Sequence, residues 1–163
     1  MAYMNGEGWL LKGDTMSEFK YGSLREKIAA ESVERKERYA KFEAVYNEAS
    51  RAGFAAAEAM TPRAMVVASH SNPLDDGSPV EKAWYVADGV CGFAWVTVSP
   101  GNCSFAKWLV KNKLAKRAYG GGVSIWISAH NQSMERKEAH ARKMSAIFRE
   151  KLGVKAYSES RMD

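Results

Sequence analysis

The stretch "AWYVADGVCGFAWVTV", residues 83–98, decides the fold. Its two halves, "AWYVA" (83–87) and "VCGFAWVTV" (90–98), are rich in β-branched and aromatic residues. Asp88-Gly89 between them is a strong short-range hairpin signal. The pattern therefore predicts two strands joined as a β-hairpin. Within the second, Cys91, Phe93, Trp95 and Thr97 alternate with Gly92, Ala94, Val96 and Val98. Successive side chains of a strand point to opposite faces, so large rings occupy one face and small or aliphatic groups the other.

Working downstream, "SPGN" (99–102) is a loop and "SFAKWLVKNK" (104–113) an amphipathic helix. Phe105, Trp108 and Leu109 share its inner side, while Lys107 and Lys111 point away. "YGGG" (119–122) is a turn and "VSIWIS" (123–128) a strand, with Val123, Ile125 and Ile127 opposite Trp126. Residues 132–152 form a helix with Ala141, Met144, Phe148 and Leu152 inward, and Gly153 closes it. "VKAYS" (154–158) is a final short strand. Upstream, "HSNPLDDGSPVEK" (70–82) is a loop and "RAMVVAS" (63–69) a strand. "FAAAEAM" (54–60) is a short helix that stops before Thr61-Pro62. Before it a long helix opens at "SLRE", where Ser23 and Glu26 have capping-box spacing, and ends at Gly53. Residues 1–22 form an irregular arm docked through Trp9, Leu10 and Leu11.

The order α-α-β-β-β-α-β-α-β predicts an α+β fold. One domain over residues 23–163 holds a mixed sheet of four to five strands, with helices packed on it. On the long helix, Leu24, Ile28, Tyr39, Phe42, Val45, Tyr46 and Ala49 fall on one side, but Glu31, Arg35 and Arg38 interrupt them. A continuous core face does not place charges there, so this section overhangs the domain or meets a partner.

The chain has 163 residues, 46% hydrophobic and 26% charged, which excludes disorder and fits one domain. No apolar run is long enough to span a bilayer, so no membrane partner is expected. The first residues lack the pattern of a secretion signal. Two cysteines, Cys91 and Cys103, are too few for a disulfide scaffold, which points to an intracellular setting.

The net charge of +5 is unevenly placed. Residues 1–88 hold 11 Lys/Arg and 14 Asp/Glu; residues 135–163 hold 8 and 5. Between them, residues 89–134 carry Lys107, Lys111, Lys113, Lys116 and Arg117 and no acid. An acid-free basic segment beside a glycine-rich turn can follow a phosphate backbone, with Tyr119 available for stacking. The competing account is the wet side of an amphipathic helix. It explains Lys107 and Lys111 fully and the other three less well. Sheet aromatics Phe93, Trp95 and Trp126 offer stacking platforms if helices cover the Val/Ile face, and core if they do not. "AYGGGVS" lacks the Gly-Lys-Ser/Thr of a P-loop and precedes a strand, so it reads as a tight turn.

Cys103 at a helix start, with His130 after a strand and His140 on the last helix, sketches a thiol nucleophile and base. "NCSFAKWL" resembles the helix start of papain-type thiol peptidases, though their flanking glutamine and aspartate signatures are missing here. His70, Asp75 and Asp76 share a loop without diagnostic ligand spacing, so no metal and no cofactor is expected.

"GVCGFAWVTVSPGNCSFAKWL" (89–109), "YGGGVSIWIS" (119–128) and "SRMD" (160–163) resemble segments of small proteins encoded by tailed bacteriophages. The likeness spans residues 84–163. It implies a phage-type context, in the host cytoplasm or a virion, and carries over no functional residue. The leading expectation is a non-enzymatic nucleic-acid-binding accessory protein. A virion or host-protein-binding component, associating through the first helix, is the second, and a Cys–His hydrolase the third.

Overall fold

In the computed structural model the described residues are Tyr3–Asn5, Gly8–Leu10 and 24–163. Most of the expected irregular arm over 1–22, the side-chain docking of Trp9, Leu10 and Leu11, and the Ser23 cap lie outside them, but Tyr3–Asn5 and Gly8–Leu10 are strands rather than irregular chain. Strands β1 (Tyr3–Asn5) and β2 (Gly8–Leu10) pair antiparallel. Helix α1 runs Leu24–Ala59, followed by β3 (Met65–His70), β4 (Val80–Val86) and β5 (Gly92–Ser99). Then come α2 (Ser104–Lys111), β6 (Lys116–Arg117), β7 (Val123–Trp126), α3 (Met134–Leu152) and β8 (Lys155–Met162). The fold is α+β. The chain divides into two units, Met1–Arg38 and Tyr39–Asp163.

In the first unit, the α1 residues Leu24, Ile28 and Val33 are exposed. In the second, the remainder of α1 buries Phe42, Val45, Ala49, Gly53 and Ala57, a helical stripe. The four-stranded sheet has the order β6-β7-β5-β8. The alternation of β5 does the organising: Gly92, Ala94, Val96 and Val98 are buried, and the residues between them are half-exposed. Val123 and Ile125 of β7 and Ala156 of β8 extend the buried face. Onto it pack Phe42 and Val45, Phe105 and Leu109 of α2, and Met144 and Phe148 of α3. Phe105 touches Phe42 and Phe148 edge-on, with centroids at 5.3 and 5.0 Å. Burial of each such ring contributes about 2–3 kcal/mol.

Four expectations are corrected. Residues 83–98 are not a hairpin. β4 pairs with β3, Val67 opposite Trp84, and β5 pairs with β7 and β8. Asp88-Gly89 does turn the chain, with Gly89 at φ +70 and its N–H on Val86 O, but the turn leads from one sheet to another. A Cβ at Gly89 would lie 2.6 Å from Arg63 O, so this glycine also serves a close backbone approach. Second, α1 runs through Gly53 without a break, because that glycine makes room for the ring of His140. Third, every strand pair among the described residues is antiparallel, so the sheet is not mixed. Fourth, β8 continues to Met162, paired with β5 along its length. Gly153 closes α3 in the left-handed conformation, as expected.

Candidate nucleic-acid interface

The basic segment acquires its geometry from α2. Cys103 caps the helix, its Sγ accepting the Ala106 N–H at 3.4 Å. Phe105, Ala106, Trp108 and Leu109 are buried, which turns Lys107 and Lys111 outward. The chain then turns sharply. Asn112 Nδ2 donates to Trp108 O at 2.8 Å, and Lys113 takes a left-handed conformation at φ +59. Buried Ala115 anchors the entry to β6. β6 and β7 form a narrow hairpin whose turn, 118–122, is closed by Ala118 N–H to Gly122 O at 2.9 Å. Gly121 sits at φ +87, where a β-carbon is disfavoured, and its carbonyl accepts the Gly101 N–H at 3.0 Å. The glycine run is a tight turn, and it carries Tyr119 fully into solvent.

Two concavities flank this turn. One, of about 620 Å³, is lined by Lys107, Lys111, Arg117, Tyr119 and the Gly121–Gly122 backbone. The other, of about 610 Å³, lies over the open sheet and is lined by Trp95, Trp126, Tyr157, Glu159, Lys116 and Arg117, among others. Arg117, Ala118, Tyr119 and Gly122 belong to both. Of the five basic residues picked out by charge alone, four line these concavities and Lys113 lines neither. All five are exposed. None forms an ion pair among the described residues; the nearest such feature is Lys111 Nζ, 5.4 Å from the Tyr39 ring centroid. Their charge is therefore available to an anion.

The sheet face opposite the core is where the aromatic residues lie. Register places Lys116, Ser124, Thr97 and Tyr157 in one row across β6-β7-β5-β8. Trp126, Trp95 and Glu159 form the adjacent row, and Phe93 and Arg161 the next. Trp126 and Tyr157 are each about half exposed, and the Trp126 ring rests on Trp95 at 5.1 Å and on Phe93 at 5.8 Å. Phe93 itself is flanked by two cations, Lys137 at 5.6 Å and Arg161 at 5.8 Å. Lys137 is buried and bonded to Gly92 O at 2.9 Å. The small-residue face thus went to the helices and left the rings open.

The thiol and histidine candidates are not brought into a dyad. Cys103 Sγ is engaged in capping α2. His130 Nε2 faces His140 Nδ1 at 2.9 Å, and Phe54 packs on both rings at 5.1 and 4.9 Å. Among the described residues, Cys103 and His130 share no hydrogen bond. Burial pushes the His140 imidazole down to about 4, with His130 adding to the effect. Burial, then Arg136, lowers His130, against a smaller opposing pull from Glu58. Two imidazoles at this distance share one proton, one ring donating and the other accepting.

His70 Nδ1 lies 2.8 Å from Ser78 O, and Asp75 Oδ1 accepts the Gly77 N–H at 2.9 Å, so both serve the β3–β4 loop. No cluster of three metal-ligating side chains occurs among the described residues. No helix among them is long and apolar enough to cross a membrane. Sequence reasoning ended the last strand at Ser158 and so missed Glu159 and Arg161, because "ESR" is too polar to read as a strand, and it gave Tyr157 no part in the site. The period-two spacing of these three residues was the available signal. Comparison with family models, curated proteins and solved structures finds no match for the chain.

Proposed function

We propose that this protein is a non-enzymatic, phage-type accessory protein that binds single-stranded nucleic acid. The observation that carries the reading is the sheet face of Trp95, Trp126 and Tyr157, open to solvent and bordered by Lys116 and Arg117. Unstacked bases lie on exposed rings, because every base has a π-face, while lysine and arginine track the phosphates. The second concavity, with Lys107 and Lys111, extends the positive border around the Tyr119 turn. The phage-type part of the reading is supported by the likeness of residues 84–163 alone.

The test is fluorescence anisotropy of a labelled single-stranded oligonucleotide across a salt series. Single-strand binding releases counterions with a slope near −0.7 per phosphate neutralised, so engaging about three or four cations gives a log–log slope of roughly −2 to −3. Trp126→Ala removes a stacking surface and should weaken binding by about tenfold or more. Absence of binding, or binding indifferent to salt, removes the proposal.

A second reading, protein binding, is favoured by the β3–β4 ribbon. Val66 and Tyr85 are exposed on one face of this two-stranded sheet, and Val67 and Trp84 on the other. A two-stranded ribbon with apolar groups exposed on both faces is marginal alone and gains from a partner. Light scattering of wild type and Trp84→Ser tests it: a partner-free monomer in both rejects self-association.

A further inference from the structure

We infer that Glu159 selects guanine on the aromatic platform, an inference that rests on the single-strand reading above. The carboxylate is exposed and stands in the same cross-sheet row as Trp95 and Trp126. Its Oε2 accepts both the Trp95 Nε1–H, at 2.7 Å, and the Thr97 hydroxyl. These bonds fix the carboxylate against the edge of the Trp95 indole. Among the described residues Glu159 makes no ion pair, and its Oε1 has no partner. A rigidly held, half-free carboxylate is thus set among rings and cations.

The placement gives the surface a direction. Lys116 lies on β6 at one edge of the sheet and Glu159 on β8 at the other. A carboxylate repels phosphate, so the sugar–phosphate backbone belongs on the Lys116–Arg117 side and the base edges point towards β8. There Oε1 can only accept. Guanine presents two adjacent donors, N1–H and N2–H₂, with no acceptor between them. Thymine and uracil present one donor flanked by two carbonyl oxygens, which the carboxylate repels. Cytosine and adenine present one amino group beside an acceptor nitrogen. Guanine is the base that offers the free oxygen two donors side by side, its O6 lying on the far side of N1–H, and good base-edge pairs of this kind discriminate by about tenfold or more.

The experiment compares a labelled oligothymidylate with the same oligomer carrying isolated guanines, on wild type, Glu159→Gln and Trp126→Ala. The preference is read as a ratio within each protein, so a general loss of folding lowers both affinities and leaves the ratio interpretable. The expected result is an affinity ratio of about ten for wild type, falling to near one in Glu159→Gln, whose amide presents a donor as well as an acceptor. Salt-dependent binding that requires Trp126 but shows no guanine preference, or keeps it in Glu159→Gln, overturns the role of Glu159 and leaves the platform standing. Failure of both oligomers to bind overturns the platform and the selectivity together.

Discussion

Gly53→Ala should destabilise the protein, although in most helix interiors the same change stabilises. An exposed interior glycine replaced by alanine gains about 1 kcal/mol of helix propensity. At Gly53 the added Cβ would stand 2.3 Å from His140 Cδ2 and 2.6 Å from His140 Nε2. The ring cannot swing freely. It is 4% exposed, its Nδ1 is 2.9 Å from His130 Nε2, and Phe54 packs on it edge-on at 4.9 Å. Overpacking of this kind costs about 1–3 kcal/mol, and loss of the His–His hydrogen bond adds about 1 kcal/mol. Against the propensity gain, the net expectation is a loss of about 2 kcal/mol. In urea, with a slope near 2 kcal/mol/M, the midpoint falls by about 1 M with the slope unchanged. The double mutant Gly53→Ala/His140→Ala isolates the clash: with the ring gone, the alanine should be neutral or stabilising relative to His140→Ala. If Gly53→Ala alone raises the midpoint, the account of why α1 continues through this glycine is wrong.

The buried histidine makes stability depend on pH. His140 has a folded value near 4 against 6.5 unfolded, so the unfolded chain binds more protons between these limits. The contribution is complete above pH 6.5 and is lost as pH falls towards 4. The full shift would correspond to about 3 kcal/mol, and solvent screening brings the expectation to about 1–2 kcal/mol. Denaturation midpoints from pH 7 to 4 should fall in wild type and flatten in His140→Gln; equal pH profiles contradict the claim. Gly153→Ala tests backbone conformation alone, because a Cβ there meets nothing within 4 Å but φ is +63. It should cost about 1 kcal/mol by thermal melting, whereas an unchanged Tm refutes the strain. Phe148→Ala, at a fully buried position between α1 and α2, should lose about 3–5 kcal/mol in the same assay; a loss below 1 kcal/mol would mean the core collapses into the space.

The β5–α2 and α3 segments were legible because each carries its own period. Alternation in 92–99 and the spacing of Phe105, Trp108 and Leu109 are local facts, and the structure keeps them. Pairing was not legible. Asp88-Gly89 announces a turn, but no local signal says that β4 already has β3 as its partner, reached across a loop tied by Ser71 N–H to Pro79 O at 2.9 Å. Gly53 has the look of a helix end because its reason, the ring of His140, lies far along the chain. The candidate interface divides in the same way. The run from Lys107 to Arg117 was visible as charge, and its exposure follows from the buried side of α2. Which face of the sheet stays open was settled by the helices packed on Ala94, Val96 and Val98, a tertiary decision. Glu159 became visible only once β8 was paired to β5 and set beside Trp95.

The most direct test of the central claim uses the indole N–H signals of the five tryptophans, titrated with a single-stranded oligonucleotide by NMR. Trp95 and Trp126, on the open sheet face, should shift together with the Gly121 amide. Trp84 on the β3–β4 ribbon and buried Trp108 should stay in place. Shifts confined to Trp84, or no shift at Trp95 and Trp126 at saturating oligonucleotide, would contradict the account.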